Sequence, residues 1–117
     1  MPHVHRTKVW QVDLPDDWRA SSGEAFVTLW NPAGVGTLTV LATDENQAPP
    51  RNGPAQEFTG KLRGQTFESS GADRFSRQWT LLCGGQWIYV RYSCAAKNAD
   101  SERVRIDEIV RSISETV

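Results

Sequence analysis

The stretch Arg74-Phe75-Ser76-Arg77-Gln78-Trp79-Thr80-Leu81-Leu82-Cys83-Gly84-Gly85-Gln86-Trp87-Ile88-Tyr89-Val90-Arg91-Tyr92-Ser93-Cys94 carries the strongest strand signal in the chain. β-branched and aromatic residues dominate it. Gly84-Gly85 at its middle suits a two-residue hairpin turn, because both positions can take φ > 0. Pairing outward from that turn sets Cys83 opposite Gln86, Leu81 opposite Ile88, Trp79 opposite Val90, Arg77 opposite Tyr92 and Phe75 opposite Cys94. These residues share one largely apolar face, which is therefore the expected core side. The other face carries Leu82, Thr80 and Gln78 on one strand and Trp87, Tyr89 and Arg91 on the next.

The same register bears on the two cysteines of the chain, Cys83 and Cys94. Cys83 sits beside the turn and Cys94 at the far end, roughly 25 Å away at strand rise. Bonded cysteines need Cα atoms within about 7 Å, so no bridge between them is expected.

C-terminal to the hairpin lies the clearest helix. Ile106, Ile109, Val110, Ile113 and Val117 form a single apolar stripe at helical spacing. Asp100 or Ser101 is the expected cap, and Glu102 suits the positive end of the helix. Arg103–Asp107, Asp107–Arg111 and Arg111–Glu115 are expected as (i, i+4) ion pairs on the solvent side.

On the N-terminal side, Thr66-Phe67-Glu68-Ser69 reads as a short strand. Pro54 to Gly64 is expected as a short helix with Phe58 and Leu62 as its stripe, preceded by a Pro-rich loop over Asp44–Gly53. Phe26–Trp30 and Thr37–Leu41 read as a hairpin around Asn31-Pro32-Ala33-Gly34-Val35-Gly36. In Lys8–Leu14, the alternation of Trp10, Val12 and Leu14 is that of a half-buried strand ended by Pro15. Trp18, in a polar loop just beyond, is expected to fold back as a plug on the core.

Composition bounds the function. The chain has 117 residues, the size of one domain spanning 1–117. Thirteen Lys and Arg against fourteen Asp and Glu give a net charge of −1. That balance argues against nucleic acid and against a polybasic membrane anchor. No apolar run approaches the ~18–20 residues of a membrane span. Met1-Pro2-His3-Val4-His5-Arg6 lacks the apolar segment of a signal peptide, so the expected setting is a cytoplasm with reduced thiols.

In order, the elements are a strand closing on Leu14-Pro15 with Trp18 after it, a β-hairpin, a short helix, a strand and a long hairpin. The Trp-centred strand Gln86-Trp87-Ile88-Tyr89-Val90 lies in that hairpin, and Ile106-Asp107-Glu108-Ile109-Val110-Arg111-Ser112-Ile113 closes the series. This arrangement resembles the Mog1/PsbP/DcrB-like group over most of the chain. The resemblance implies an antiparallel sheet flanked by helices and carries no shared catalytic residues. Roles within the group diverge: Mog1 binds the small GTPase Ran, PsbP assists the oxygen-evolving complex, and DcrB-like proteins sit in the bacterial envelope.

Residues with catalytic potential are scattered. His3 and His5 would share a face only if the first strand began that early, and nothing nearby supplies the third and fourth ligands of a closed metal site, so a frayed, exposed terminus is expected. Neither cysteine has a nearby base to generate a thiolate. Asp16-Asp17 and Asp44-Glu45 read as solvated turn formers. Gly34-Val35-Gly36 and Gly84-Gly85 lack the Gly-Lys-Ser/Thr ending of a phosphate loop.

Trp87, Tyr89 and Arg91 remain, three residue types enriched at interface hot spots. The reading is an α+β domain: an antiparallel sheet of about five or six strands with the C-terminal helix across one face. Its expected function is non-catalytic binding of another protein in a bacterial cytoplasm, through Trp87, Tyr89 and Arg91, without metal or cofactor. The alternative is a small ligand-binding domain or enzyme with a pocket between the sheet and the 44–53 loop.

Overall fold

In the computed structural model the long hairpin forms in the expected register, from Cys83 opposite Gln86 to Phe75 opposite Cys94. The structure describes residues 3–23, 26–43, 56–83 and 86–116. The loop at 44–53, Pro54, the Gly84-Gly85 turn and Val117 lie outside the described residues. Along the chain run β1 (His3–Arg6), β2 (Trp10–Leu14), β3 (Arg19–Ser22), β4 (Val27–Trp30) and β5 (Gly36–Thr43). They are followed by β6 (Gln56–Thr59), β7 (Arg63–Ser70), β8 (Arg74–Cys83) and β9 (Gln86–Ala95). A 3-10 turn at Ala96–Asn98, the helix α1 (Arg103–Arg111) and β10 (Ser114–Glu115) complete the series.

The fold is α+β and antiparallel, as expected, but richer in strands. A seven-stranded sheet has the order β3-β4-β5-β9-β8-β7-β6, and a second sheet of three has the order β1-β2-β10. The additional strands are short and lie at sheet edges. Polar Arg19–Ser22 pairs with β4, and His3–Arg6 pairs with β2, so the amino-terminal segment is a strand rather than frayed.

The expected middle helix does not form where the chain is described. Gln56–Thr59 is a strand paired with Arg63–Thr66 of β7, and residues 60–62 turn between them. Gly60 within that connection and Gly64 in the strand after it weaken a helix there. Phe58 is buried all the same, reaching the core from a strand.

One continuous core lies between the large sheet and a layer made of α1 and the small sheet. Trp10, Val12 and Leu14 of β2 meet Leu29, Leu38, Trp79, Leu81, Ile88 and Val90 of the large sheet. Ile106, Ile109 and Val110 supply the helical stripe as expected, and Ile113, expected in the same stripe, reaches the core from just beyond the helix end. Burying each such side chain contributes about 1.5–3 kcal/mol. Trp18 plugs the core at 1% exposure, its backbone amide donating to the Pro15 carbonyl at 3.0 Å.

The helix differs from expectation at both ends. Glu102 occupies the cap position and makes no side-chain capping bond, in place of Asp100 or Ser101. Its carboxylate is used elsewhere, accepting from the Tyr92 hydroxyl at 2.8 Å and the Gly36 amide at 3.0 Å. The helix stops at Arg111, and Ser112 ties it to β2: its Oγ accepts from the Asp13 amide at 3.0 Å and donates to the Ile109 carbonyl at 2.7 Å. Glu115 then joins β10, which removes the expected Arg111–Glu115 pair. Asp107–Arg111 forms at 2.7 Å, whereas Arg103 turns to Asp100 and Glu68 instead of Asp107.

Candidate functional site

Strand alternation places Trp87, Tyr89 and Arg91 on the outer face of the large sheet, away from α1. They are successive outward positions of β9, so their Cα atoms step by roughly 6.5–7 Å. Pairing on both sides of β9 fixes their neighbours. Trp87 lies between Thr43 and Leu82, Tyr89 between Leu41 and Thr80, and Arg91 between Thr39 and Gln78. The sequence-predicted trio thus sits together as one strip.

Arg91 is exposed, whereas Trp87 and Tyr89 are half-buried. Each of these two aromatics already takes part in an interaction within the chain. Leu82, across from Trp87, is 48% exposed. Elsewhere on the face small polar pairs, Thr28 with Thr39, Thr37 with Ser93 and Ser93 with Ser76, are joined by two further aromatics, Trp30 opposite Thr37 and the buried Phe67 opposite Gln78. Sequence reasoning missed the β5 contribution, Leu41 and Thr39, because it did not assign β5 as the neighbour of β9.

A second constellation lies on the inner face, at the end of the sheet that α1 only partly covers. Arg77 of β8 stacks over the Trp79 ring at 4.9 Å, Arg103 over Phe75 at 5.4 Å and Arg111 over Phe58 at 5.0 Å. Asp107 and Glu68 run among them. Asp107 stands 3.9 Å from Arg77 and 2.7 Å from Arg111, while Glu68 pairs with Arg103. The readable signal for this seam was a lone arginine on an otherwise apolar strand face, matched by Arg103, Asp107 and Arg111 at (i, i+4) spacing.

A cavity of about 300 Å3 opens beside it, lined by Gln56, Thr66, Phe67, Glu68, Arg77 and Arg103. On the opposite flank of α1 a wider groove of about 510 Å3 has Leu14, Pro15 and Ile109 in its wall. The pocket expected against the 44–53 loop falls on residues outside those described.

The residues considered for catalysis stay apart. Cys83 and Cys94 are buried and free, at opposite ends of the hairpin. Burial pushes the Cys83 thiol above its usual range, and Glu115 adds to the effect. His5 Nε2 is buried without a hydrogen-bond partner, its ring 6.1 Å from that of Trp10. Asp17 accepts from the Asn31 side-chain amide at 3.0 Å, an ordinary link between two turns. Among the described residues no three His, Cys, Asp or Glu side chains are grouped to hold a metal ion. Among them, too, no helix is long and apolar enough to cross a membrane.

This architecture is the PsbP/Mog1-like fold. The chain is similar to cyanobacterial PsbP (CyanoP) from Synechocystis sp. PCC 6803, with a TM-score of 0.72 at 10% identity, over 98% of this chain and 92% of that one. It is also similar to a protein of Bacteroides thetaiotaomicron VPI-5482, with a TM-score of 0.66 at 14% identity over 92% of this chain. The match spans only 45% of that longer protein. Identities this low establish the fold alone. No protein-family model matches the sequence, and no curated protein matches it.

Proposed function

We propose that this chain is a non-catalytic protein-binding domain of the bacterial cytoplasm, whose partner docks on the outer sheet face around Trp87, Tyr89 and Arg91. The observation that carries the reading is the pairing of exposed Leu82 with Trp87, one outward-facing position from Tyr89 and two from exposed Arg91. Aromatic and aliphatic area near a guanidinium, with Thr and Ser side chains around it, has the composition of an interface centre with a polar rim. Ordered strands hold these side chains in place before binding, which lowers the entropy lost on association.

The test is affinity capture from lysate of the source organism, comparing wild type with Arg91→Glu and Leu82→Glu. Val104→Glu serves as control, since Val104 is 72% exposed on α1, away from this face. The reading expects a partner retained by wild type and Val104→Glu but lost from both sheet variants, with unchanged thermal unfolding. Equal capture by all four proteins would sink it.

A further inference from the structure

We propose that the cavity between α1 and the β6–β7–β8 end of the sheet is an oxyanion site, taking a small organic carboxylate or a phosphate against Arg77. It lies on the inner side of the sheet and is independent of the outer-face strip.

The Arg77 side chain is only 15% exposed, and it projects from a strand face otherwise given to the core. A guanidinium carries five N–H donors in a rigid fork. Among the described residues Nε donates to Thr66 Oγ1 at 3.1 Å. Among the described residues its ion-pair partner is Asp107, which stands off at 3.9 Å from Nη2 and gives its short hydrogen bond to Arg111 instead. Burial consequently outweighs the charges around Arg77 and pulls its pKa below the ordinary arginine value. A cation this far withdrawn from solvent and this loosely paired is costly, and a bound anion would relieve that cost.

The surroundings are built to present it. The Trp79 ring lies 4.9 Å under the guanidinium and supports the cation there. Arg77 lines the cavity of about 300 Å3, to which Gln56 and Thr66 add neutral polar groups and Arg103 a second cation. Arginine suits this task because its fork matches a carboxylate or phosphate in bidentate fashion.

Glu68 is the built-in competitor. It lines the same cavity, is 42% exposed and holds Arg103. An incoming oxyanion takes the place of the Glu68 carboxylate on Arg103 while gaining Arg77. The two residues therefore act in opposite directions, which a purely structural ion network does not require.

The experiment follows backbone amide resonances of the full chain during titration with sodium phosphate and, separately, sodium succinate. Ionic strength is held constant with sodium chloride. The expected result is saturable change centred on Thr66, Glu68, Arg77 and Arg103. Arg77→Lys should weaken binding roughly tenfold or more, the loss of a bidentate charged contact. Glu68→Gln should tighten it about two- to fivefold, the worth of one exposed like charge. A response to phosphate alone or to succinate alone identifies which oxyanion the site takes. No saturable change with either anion overturns the proposal, as does binding that Glu68→Gln fails to strengthen. Should Arg77→Lys not fold, the Glu68→Gln titration decides by itself.

Discussion

The Glu102 carboxylate, at the start of the helix, accepts the hydroxyl proton of Tyr92, from the centre of the sheet, at 2.8 Å. The same oxygen accepts from the backbone amides of Gly36 and Val35, at 3.0 and 3.3 Å. One acidic side chain thus joins the helix, strand β9 and the β4–β5 hairpin turn. Tyr92 is fully buried, and burial, reinforced by the adjacent Glu102, pushes its phenol far above the ordinary tyrosine value.

This pair makes stability sensitive to alkali. The folded protein keeps the Tyr92 proton at pH values where an unfolded tyrosine has released it. The contribution is therefore complete below the ordinary value of 10.0 and declines as pH rises beyond it. The limiting slope is about 1.4 kcal/mol per pH unit. Urea unfolding at pH 9 and 11 should show a larger loss for wild type than for Tyr92→Phe. At neutral pH that variant should cost about 1–2 kcal/mol. Parallel losses in the two proteins would contradict the assignment.

Glycine 36 leaves the space through which Tyr92 reaches Glu102. A Cβ there would stand 2.4 Å from the phenol ring, so Gly36→Ala must displace a buried side chain. The expected cost is about 1–3 kcal/mol. Gly64→Ala should be worse, because its Cβ would fall 1.8 Å from the Thr80 carbonyl oxygen, and only backbone movement could relieve that contact. Thermal unfolding of the two variants checks the ranking.

Tryptophan emission should divide by burial. Trp10, Trp18 and Trp79 are at most 2% exposed, whereas Trp30 and Trp87 are half-buried. Acrylamide should quench a minority component that shrinks in Trp87→Phe and Trp30→Phe and survives in Trp79→Phe. Trp18→Ala removes the plug and should destabilise by about 3–5 kcal/mol. Full quenching of the native protein would show the plug to be misplaced.

Both thiols should be silent in the native state. Cys83 lies at 1% exposure with its Sγ 3.6 Å from the Val9 carbonyl oxygen, and Cys94 is equally buried. Labelling by an aromatic disulfide reagent should await unfolding and then yield two thiols, as the free pair implies. Rapid labelling of folded protein would contradict this burial.

Where sequence reading succeeded and failed follows the sheet topology. Strands β2, β4, β5, β7, β8 and β9 were each legible, and each has a partner on both sides. Such strands bury a face along their length, so alternation and β-branched content are imprinted on them. The missed strands β1, β3, β6 and β10 are the four sheet edges. An edge strand borrows its conformation from one neighbour and is otherwise solvated, so Arg19-Ala20-Ser21-Ser22 carries no pattern to read. Phe58 misled for a related reason: one apolar residue, with Leu62 four positions on, fits a helical stripe and a core-facing strand alike.

The chain's own order of residues determined the hairpin register, the inward and outward sorting of Trp79 and Trp87, the separation of the cysteines and the apolar stripe of the helix. All of these follow from local periodicity and one turn. Tertiary structure alone decided that β5 sets Leu41 beside Tyr89, that Glu102 serves Tyr92 rather than the helix end, and that Arg77 faces a cavity with Arg103. These pairs lie from 10 to 48 residues apart in sequence and on different elements, as Tyr92–Glu102 and Leu41–Tyr89 illustrate. Side-chain periodicity says which face a residue takes, but only the packing of one element on another says what it meets there.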